Sequence, residues 1–386
     1  MSNLAADPLD VLRRRTSAKW RTYSEDVLPL FVAEMDFPLA PAVSAAMIDR
    51  IEASDVGYVS GPGPVGPAFA GFAARRWGWQ VDPADVRTTT DVSVAIVETL
   101  RQAVRPGGEV VITPPVYPPF FELPVEAGAV VREVPLLAGP DGWSLDLAGL
   151  EAAFADDGVE AFLLCNPHNP LGLVHDRHTL ARVADLAGQY GVRVVSDEIH
   201  APLVYRPEDF TPFLSVSDAA RAVGVCVTAA SKGWNIAGAK CALMIASDDR
   251  TRLLLDEMPA EVGFRTSILG LAGTTAAYAE ADPWLDDVLA VLDANRRLLG
   301  DLLAAELPQV RYRIPDAGYL AWLDFRGLGW GEDPAGTALE QAQVALESGL
   351  KFGSEGTGRA RLNFGCSPEV LQEAVRRLAA VPASGV

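Results

Sequence analysis

The run Ala161-Phe162-Leu163-Leu164-Cys165-Asn166-Pro167-His168-Asn169-Pro170-Leu171-Gly172 decides the fold of this chain. Residues 161 to 165 are all apolar, so a strand here is covered on both faces; a sheet open to water on one side would alternate apolar with polar. The rest, broken by Pro167 and Pro170, is a polar turn. The same grammar recurs around it. Val192-Arg193-Val194-Val195-Ser196 and Val223 to Thr228 read as further strands, as do Glu109-Val110-Val111-Ile112-Thr113 and Cys241 to Ala246. Helical patterns separate them: one from Thr179 to Tyr190, another capped by Asp91, with Val94, Val97, Leu100 and Val104 on its apolar side and Pro106-Gly107-Gly108 ending it. Strands buried on both faces and alternating with helices predict an α/β fold, a mainly parallel sheet flanked by helices.

Outside this core the chain changes character. Past about residue 285 come a long charged helix through Arg296-Arg297, the run Tyr319-Leu320-Ala321-Trp322-Leu323 and a last helix after Pro368, which read as a smaller α+β C-terminal domain. With 386 residues, more than one core usually serves, the expected division is an N-terminal segment at 1–45 packing with the small domain, a large domain at 46–284 and the small domain at 285–386. Gly61-Pro62-Gly63-Pro64 is a surface loop.

A net charge of −19 with no basic run beyond Arg13-Arg14-Arg15 repels a polyphosphate backbone, so no nucleic-acid partner is expected. Cys165, Cys226, Cys241 and Cys366 lie far apart with no CxxC pair, and read as small buried hydrophobes in a reducing compartment. Met1 to Arg15 lacks the charged start and apolar core of an export signal, and Thr266 to Ala279 is too short and glycine-rich to span a bilayer. A cytoplasmic protein without membrane attachment is the expectation.

Ligands of open α/β sheets bind outside the carboxyl ends of the strands. There the strand at 161–165 runs into Asn166 to Gly172, that at 192–196 into Asp197-Glu198-Ile199-His200, and that at 223–228 into Ser231-Lys232-Gly233-Trp234-Asn235. Singly, these are an ordinary turn, a helix cap and a solvated lysine. Shared position at one edge of one sheet makes them a candidate site. A lysine, a carboxylate and an aromatic ring are what a pyridoxal cofactor needs: an amine to condense with its aldehyde, and an acid to keep its pyridine nitrogen protonated so that the ring accepts electrons.

These strings resemble the signatures of fold-type I pyridoxal 5′-phosphate (PLP) enzymes, the class I/II aminotransferase superfamily. Lys19-Trp20 and Leu28-Pro29-Leu30-Phe31-Val32-Ala33-Glu34-Met35-Asp36-Phe37-Pro38 resemble one branch more narrowly, the MalY/PatB-type cystathionine β-lyases or carbon–sulfur lyases. The resemblance runs from about residue 17 to the C-terminal helix. It implies that Lys232 is the Schiff-base lysine and general base, and that Asp197 is the partner of the pyridine nitrogen. Asn169 and His200 fall where the family bonds the phenolic oxygen, and Tyr117 where an aromatic ring stacks on the cofactor. Val92 and Ser93 match the backbone donors for the phosphate at a helix N-terminus. Tyr58 resembles the tyrosine that reaches the cofactor phosphate and the substrate in the neighbouring subunit, which implies a homodimer with shared active sites. Arg361 matches the arginine that forks onto the α-carboxylate of a small amino-acid substrate.

Some residues depart from the family pattern. Asp91 stands where relatives carry a small residue, and is expected to turn away and cap its helix. Ala229 replaces a common serine, which leaves Ser231 or Thr228 to supply a hydroxyl to the phosphate. Lys240 stands where aminotransferases carry an arginine and is expected to serve the same charge. Arg359 occupies a place that relatives often fill with an apolar residue. His168, His175 and His178 lack the partners of a metal site. Trp77 and Trp79 read as core or interface, and Asp156-Asp157 and Asp248-Asp249 as solvated turns. The implied reaction is β-elimination from cystathionine or a related cysteine conjugate, giving a thiol, pyruvate and ammonia. An aminotransferase shares every step up to the carbanion and is the competing reading. A purely regulatory protein on this fold is the weaker one, because Lys232, Asp197 and Arg361 are all present.

Overall fold

The computed structural model describes residues 4–139 and 142–383. A sheet of seven strands runs in the order Val86–Thr89, Ala242–Ile245, Gly224–Thr228, Arg193–Asp197, Val159–Cys165, Glu109–Ile112, Val130–Glu133. The last five are mutually parallel, whereas Ala242–Ile245 is antiparallel to both of its neighbours. Alternate side chains of the central strands enter two separate cores. Val111, Phe162, Leu164 and Val194 join one; Val110, Ala161, Leu163 and Val195 join the other. That division is why the strands are apolar at nearly every position.

The edges were not legible in the sequence. Val86-Arg87-Thr88-Thr89 and Val130-Val131-Arg132-Glu133 are both edge strands that mix apolar with polar residues, and the second lies largely in water. An edge strand need not be apolar on both faces, so the signal that marks the centre fades there.

The expected helices form as Val92–Ala103, Arg177–Tyr190, Asp282–Glu306 and Pro368–Ala379. Side-chain caps set the start of three of them: Asp91 accepts from the Val94 N–H, Asp176 from that of Thr179 and Ser367 from that of Val370. Trp77 and Trp79 pack with Phe69, Phe72, Trp234 and Tyr278 in an aromatic core. Asp248, half-buried in a bend, caps the helix Asp249–Asp256, and Asp249 is exposed. Asp156 is exposed but pairs with Arg132 at 2.9 Å.

Past residue 306 an antiparallel sheet takes the order Arg311–Tyr312, Leu320–Asp324, Arg359–Asn363, Glu347–Ser348. The divisions expected at 45/46 and 284/285 fall inside the helices Pro41–Glu52 and Asp282–Glu306, where composition gives no sign of continuity. Leu28–Pro29 pairs with Val344–Ala345 beside the C-terminal sheet, while the helix Pro41–Glu52 packs on Ile268–Glu280 of the larger unit. A wholly buried ion pair, Lys19 Nζ to Asp36 Oδ1 at 2.7 Å, pins the stretch between them. Among the described residues, no helix is long and apolar enough to cross a membrane.

Candidate active site

A cavity of about 460 Å³ opens at the carboxyl ends of the parallel strands. Lys232, Asp197, Tyr117, Asn169, His200 and Arg361 all line it, as do Val92, Ser93, Ser231 and Lys240. Tyr58, to which the resemblance gave a role at the neighbouring subunit's site, lies elsewhere, 96% exposed on the surface of the same chain.

Lys232 sits in the single turn Ala230–Gly233 that follows the strand Gly224–Thr228, and donates from Nζ to the Ala33 carbonyl at 3.1 Å. Burial, with the positive charge of Arg361 adding to it, lowers its amine to a pKa of about 8. Asp197 ends its strand 5% exposed, with Oδ1 accepting from the Ile199 N–H at 3.0 Å. Burial raises its carboxyl to about 7, against the opposing pull of that N–H and of Lys232. An acid costly to ionise and an amine costly to protonate thus face one cavity. Each lies close enough to act on the other's ionisation.

Arg361 is brought in from the C-terminal sheet. It is 5% exposed, packs over the Phe352 ring at 5.1 Å, and donates to Asn169 Oδ1 at 3.1 Å and to the Phe31 carbonyl at 2.9 Å. Its Nε has no hydrogen-bond partner among the described residues. A buried guanidinium with an unmet donor suits an incoming carboxylate. Tyr117 starts the short helix Pro118–Phe121, and burial raises its phenol. His200 is held neutral, its pKa lowered to about 3 by burial and by the charges of Lys232 and Arg361.

Another part of the cavity lining favours an anion. Val92 and Ser93 open the helix Val92–Ala103, and amides of a first turn have no acceptor within the helix. Asp91 does cap this helix, through Oδ1. Its other oxygen pairs with Lys240 Nζ at 2.9 Å, so Lys240 neutralises Asp91 and is shared with whatever anion lies there. Ser231 lines the cavity, whereas Thr228 Oγ1 donates to the Glu198 carbonyl at 3.1 Å. That leaves Ser231 as the available hydroxyl. Arg359 bonds the Glu355 carbonyl and stands over Trp143, and does not line the cavity. His168 and His175 meet edge to face, buried, at 6.2 Å.

The sequence reading did not single out Glu347 and Lys351, which also line the cavity, nor the part played by Phe31, Val32 and Ala33. The last three lie in the Leu28–Pro38 block already noted. Glu347 and Lys351 carried no signal, because a charged pair in a short strand and turn looks like any solvated surface. The set of groups fits PLP: an amine for the aldehyde, an enclosed acid for the ring nitrogen, an aromatic side chain, and a helix start with a lysine for the phosphate.

The family model for aminotransferase class I and II matches residues 25–378. The cystathionine β-lyase of Corynebacterium glutamicum is 37% identical over 97% of this chain and 98% of its own. Cystathionine β-lyase PatB of Bacillus subtilis is 34% identical, over 94% and 96% respectively. The crystal structure of cystalysin from Treponema denticola, which contains a pyridoxal 5′-phosphate cofactor, superposes with a TM-score of 0.90 at 27% identity, covering 95% of this chain and 96% of the other. Motifs, overall fold and near full-length similarity agree: the chain belongs to the aminotransferase class I and II family, in its MalY/PatB-type cystathionine β-lyase branch.

Proposed function

We propose that this protein is a PLP-dependent carbon–sulfur β-lyase acting on cystathionine or related cysteine S-conjugates. The observation that carries the reading is the meeting of Lys232 and Asp197 in one cavity that Arg361 also lines. When bound, PLP supplies an aldehyde carbon for the substrate amine and a protonated ring that withdraws electrons from Cα. Asp197 would keep the ring nitrogen protonated, and Tyr117 would supply the aromatic side chain beside the ring. Asn169 and His200 would serve its phenolic oxygen, and Val92, Ser93, Ser231 and Lys240 would hold the phosphate. Arg361 takes the α-carboxylate and so fixes which hydrogen faces Lys232. The Lys232 amine then removes the Cα proton, and a thiolate departs from Cβ. With one water consumed, the products are a thiol, pyruvate and ammonia.

The purified yellow protein is expected to release pyruvate and homocysteine from L-cystathionine with no keto acid added. Product formed only with a keto-acid acceptor would make it an aminotransferase instead.

A homodimer with shared sites is part of the proposal. Tyr58 is 96% exposed, and Ile48, Ile51 and Val56 near it in sequence are also exposed. Such apolar residues suit an interface between copies. If Tyr58 serves the partner's cavity, mixing inactive Lys232→Ala and Tyr58→Ala proteins restores up to about a quarter of wild-type activity, because half the dimers are mixed and each has one intact site. No recovery would mean that Tyr58 does not serve the partner's cavity. The four buried, unpaired thiols support a reducing, cytoplasmic location.

A further inference from the structure

Two charged side chains in the cavity have no part in the chemistry just described. Glu347, on the strand Glu347–Ser348, stands directly opposite Arg361 in the antiparallel ladder. Opposed residues project from the same face of a sheet with Cβ atoms roughly 5 Å apart, so this carboxylate is one strand from the guanidinium. The two do not pair. Arg361 is bonded to Asn169 and to the Phe31 carbonyl, and Glu347 Oε1 accepts from Lys351 Nζ at 2.7 Å. The Glu347 side chain is 16% exposed and that of Lys351 62%. Positive, negative and positive charges therefore follow one another from the buried arginine to the mouth.

We propose that Glu347 and Lys351 form a subsite for the far end of a substrate with a second amino-acid head, the ammonium meeting Glu347 and the carboxylate Lys351. This rests on the lyase reading and deepens it. With its first carboxylate on Arg361, a cystathionine-type thioether offers a negative, then a positive, then a negative group along the wall, in the complementary order. The distal head exchanges one internal ion pair for two charge-assisted hydrogen bonds. A cysteine conjugate with a plain alkyl tail has nothing to offer the pair.

The test compares holoenzymes of the wild type, Lys351→Ala, Lys351→Glu and Glu347→Gln on L-cystathionine and on S-ethyl-L-cysteine, reading pyruvate. The ratio of kcat/KM for cystathionine to that for S-ethylcysteine is expected to fall about tenfold in Lys351→Ala and Glu347→Gln, and further in Lys351→Glu. A loss shared equally by both substrates would mean that Glu347 merely steadies Arg361. An unchanged ratio would mean a solvated surface pair. Either result overturns the subsite. Absence of pyruvate from both substrates with the wild type would defeat the lyase reading alone. The subsite is then read from binding, as the ratio of dissociation constants of the two amino acids measured by the change in the visible spectrum, with the same tenfold criterion.

Discussion

Lys232→Ala is expected to lower pyruvate formation by at least about 10³-fold, since it removes both the covalent anchor of the cofactor and the base that takes the Cα proton. The variant should also fail to develop the stable yellow colour of the wild type. The wild-type amine, with a pKa of about 8, is largely protonated at pH 7 and attacks an aldehyde only when neutral. Colour formation on adding PLP to cofactor-free protein should therefore quicken as pH rises through about 8, and level off above it. For stability the sign runs the other way from an ion-paired lysine. The folded pKa lies below the ordinary 10.5, so the native state carries a penalty at neutral pH that is relieved as pH climbs from about 8 towards 10.5. Lys232→Ala removes that penalty. The cofactor-free variant should melt no lower than cofactor-free wild type at pH 7, which separates lost chemistry from lost fold. Activity within tenfold of wild type would remove Lys232 from the centre of the mechanism.

Asp197→Asn should rank next, with turnover down by about 10²- to 10⁴-fold, because a neutral amide cannot hold the ring nitrogen protonated. Its effect on the cofactor-free protein is opposite in direction. The folded pKa, about 7, lies above the ordinary 3.8, so the native state binds this proton more tightly than the unfolded chain does. The associated stability is fully present below about pH 4 and is lost as pH rises through 7. Three units correspond to about 4 kcal/mol, an order-of-magnitude figure. Cofactor-free Asp197→Asn should thus melt several degrees above cofactor-free wild type at pH 8, with the gap closing towards pH 4. A variant that is less stable at pH 8 would show that the carboxylate is not held against its own desolvation.

The centre of the fold was legible because burial on both faces leaves an unbroken apolar signature, as at Ala161 to Cys165. The antiparallel sense of Ala242–Ile245 was not, since a strand buried on both faces reads the same in either direction. Around the cavity, residues at strand ends could be located by motif: Asp197, Lys232, Asn169. The capping role of Asp91 was also readable, but its pairing with Lys240 depends on two segments 149 residues apart that no local pattern connects. Glu347 and Lys351 escaped for the same reason. They become notable only once the antiparallel ladder places one of them beside Arg361.

The run Phe31 to Met35 bears on the order in which the molecule is made. Its carbonyls accept from Arg361, Asn363, Lys232, Tyr319 and Asn235, partners lying 199 to 331 positions further along the chain. Contacts of such long range form late, because closing the intervening loop costs entropy before any bond repays it. The earliest-synthesised wall of the cavity is therefore the last to be secured. A nascent chain halted before residue 361 would lack both the guanidinium and the strand that fasten that wall, and so could not yet present a finished place for the cofactor.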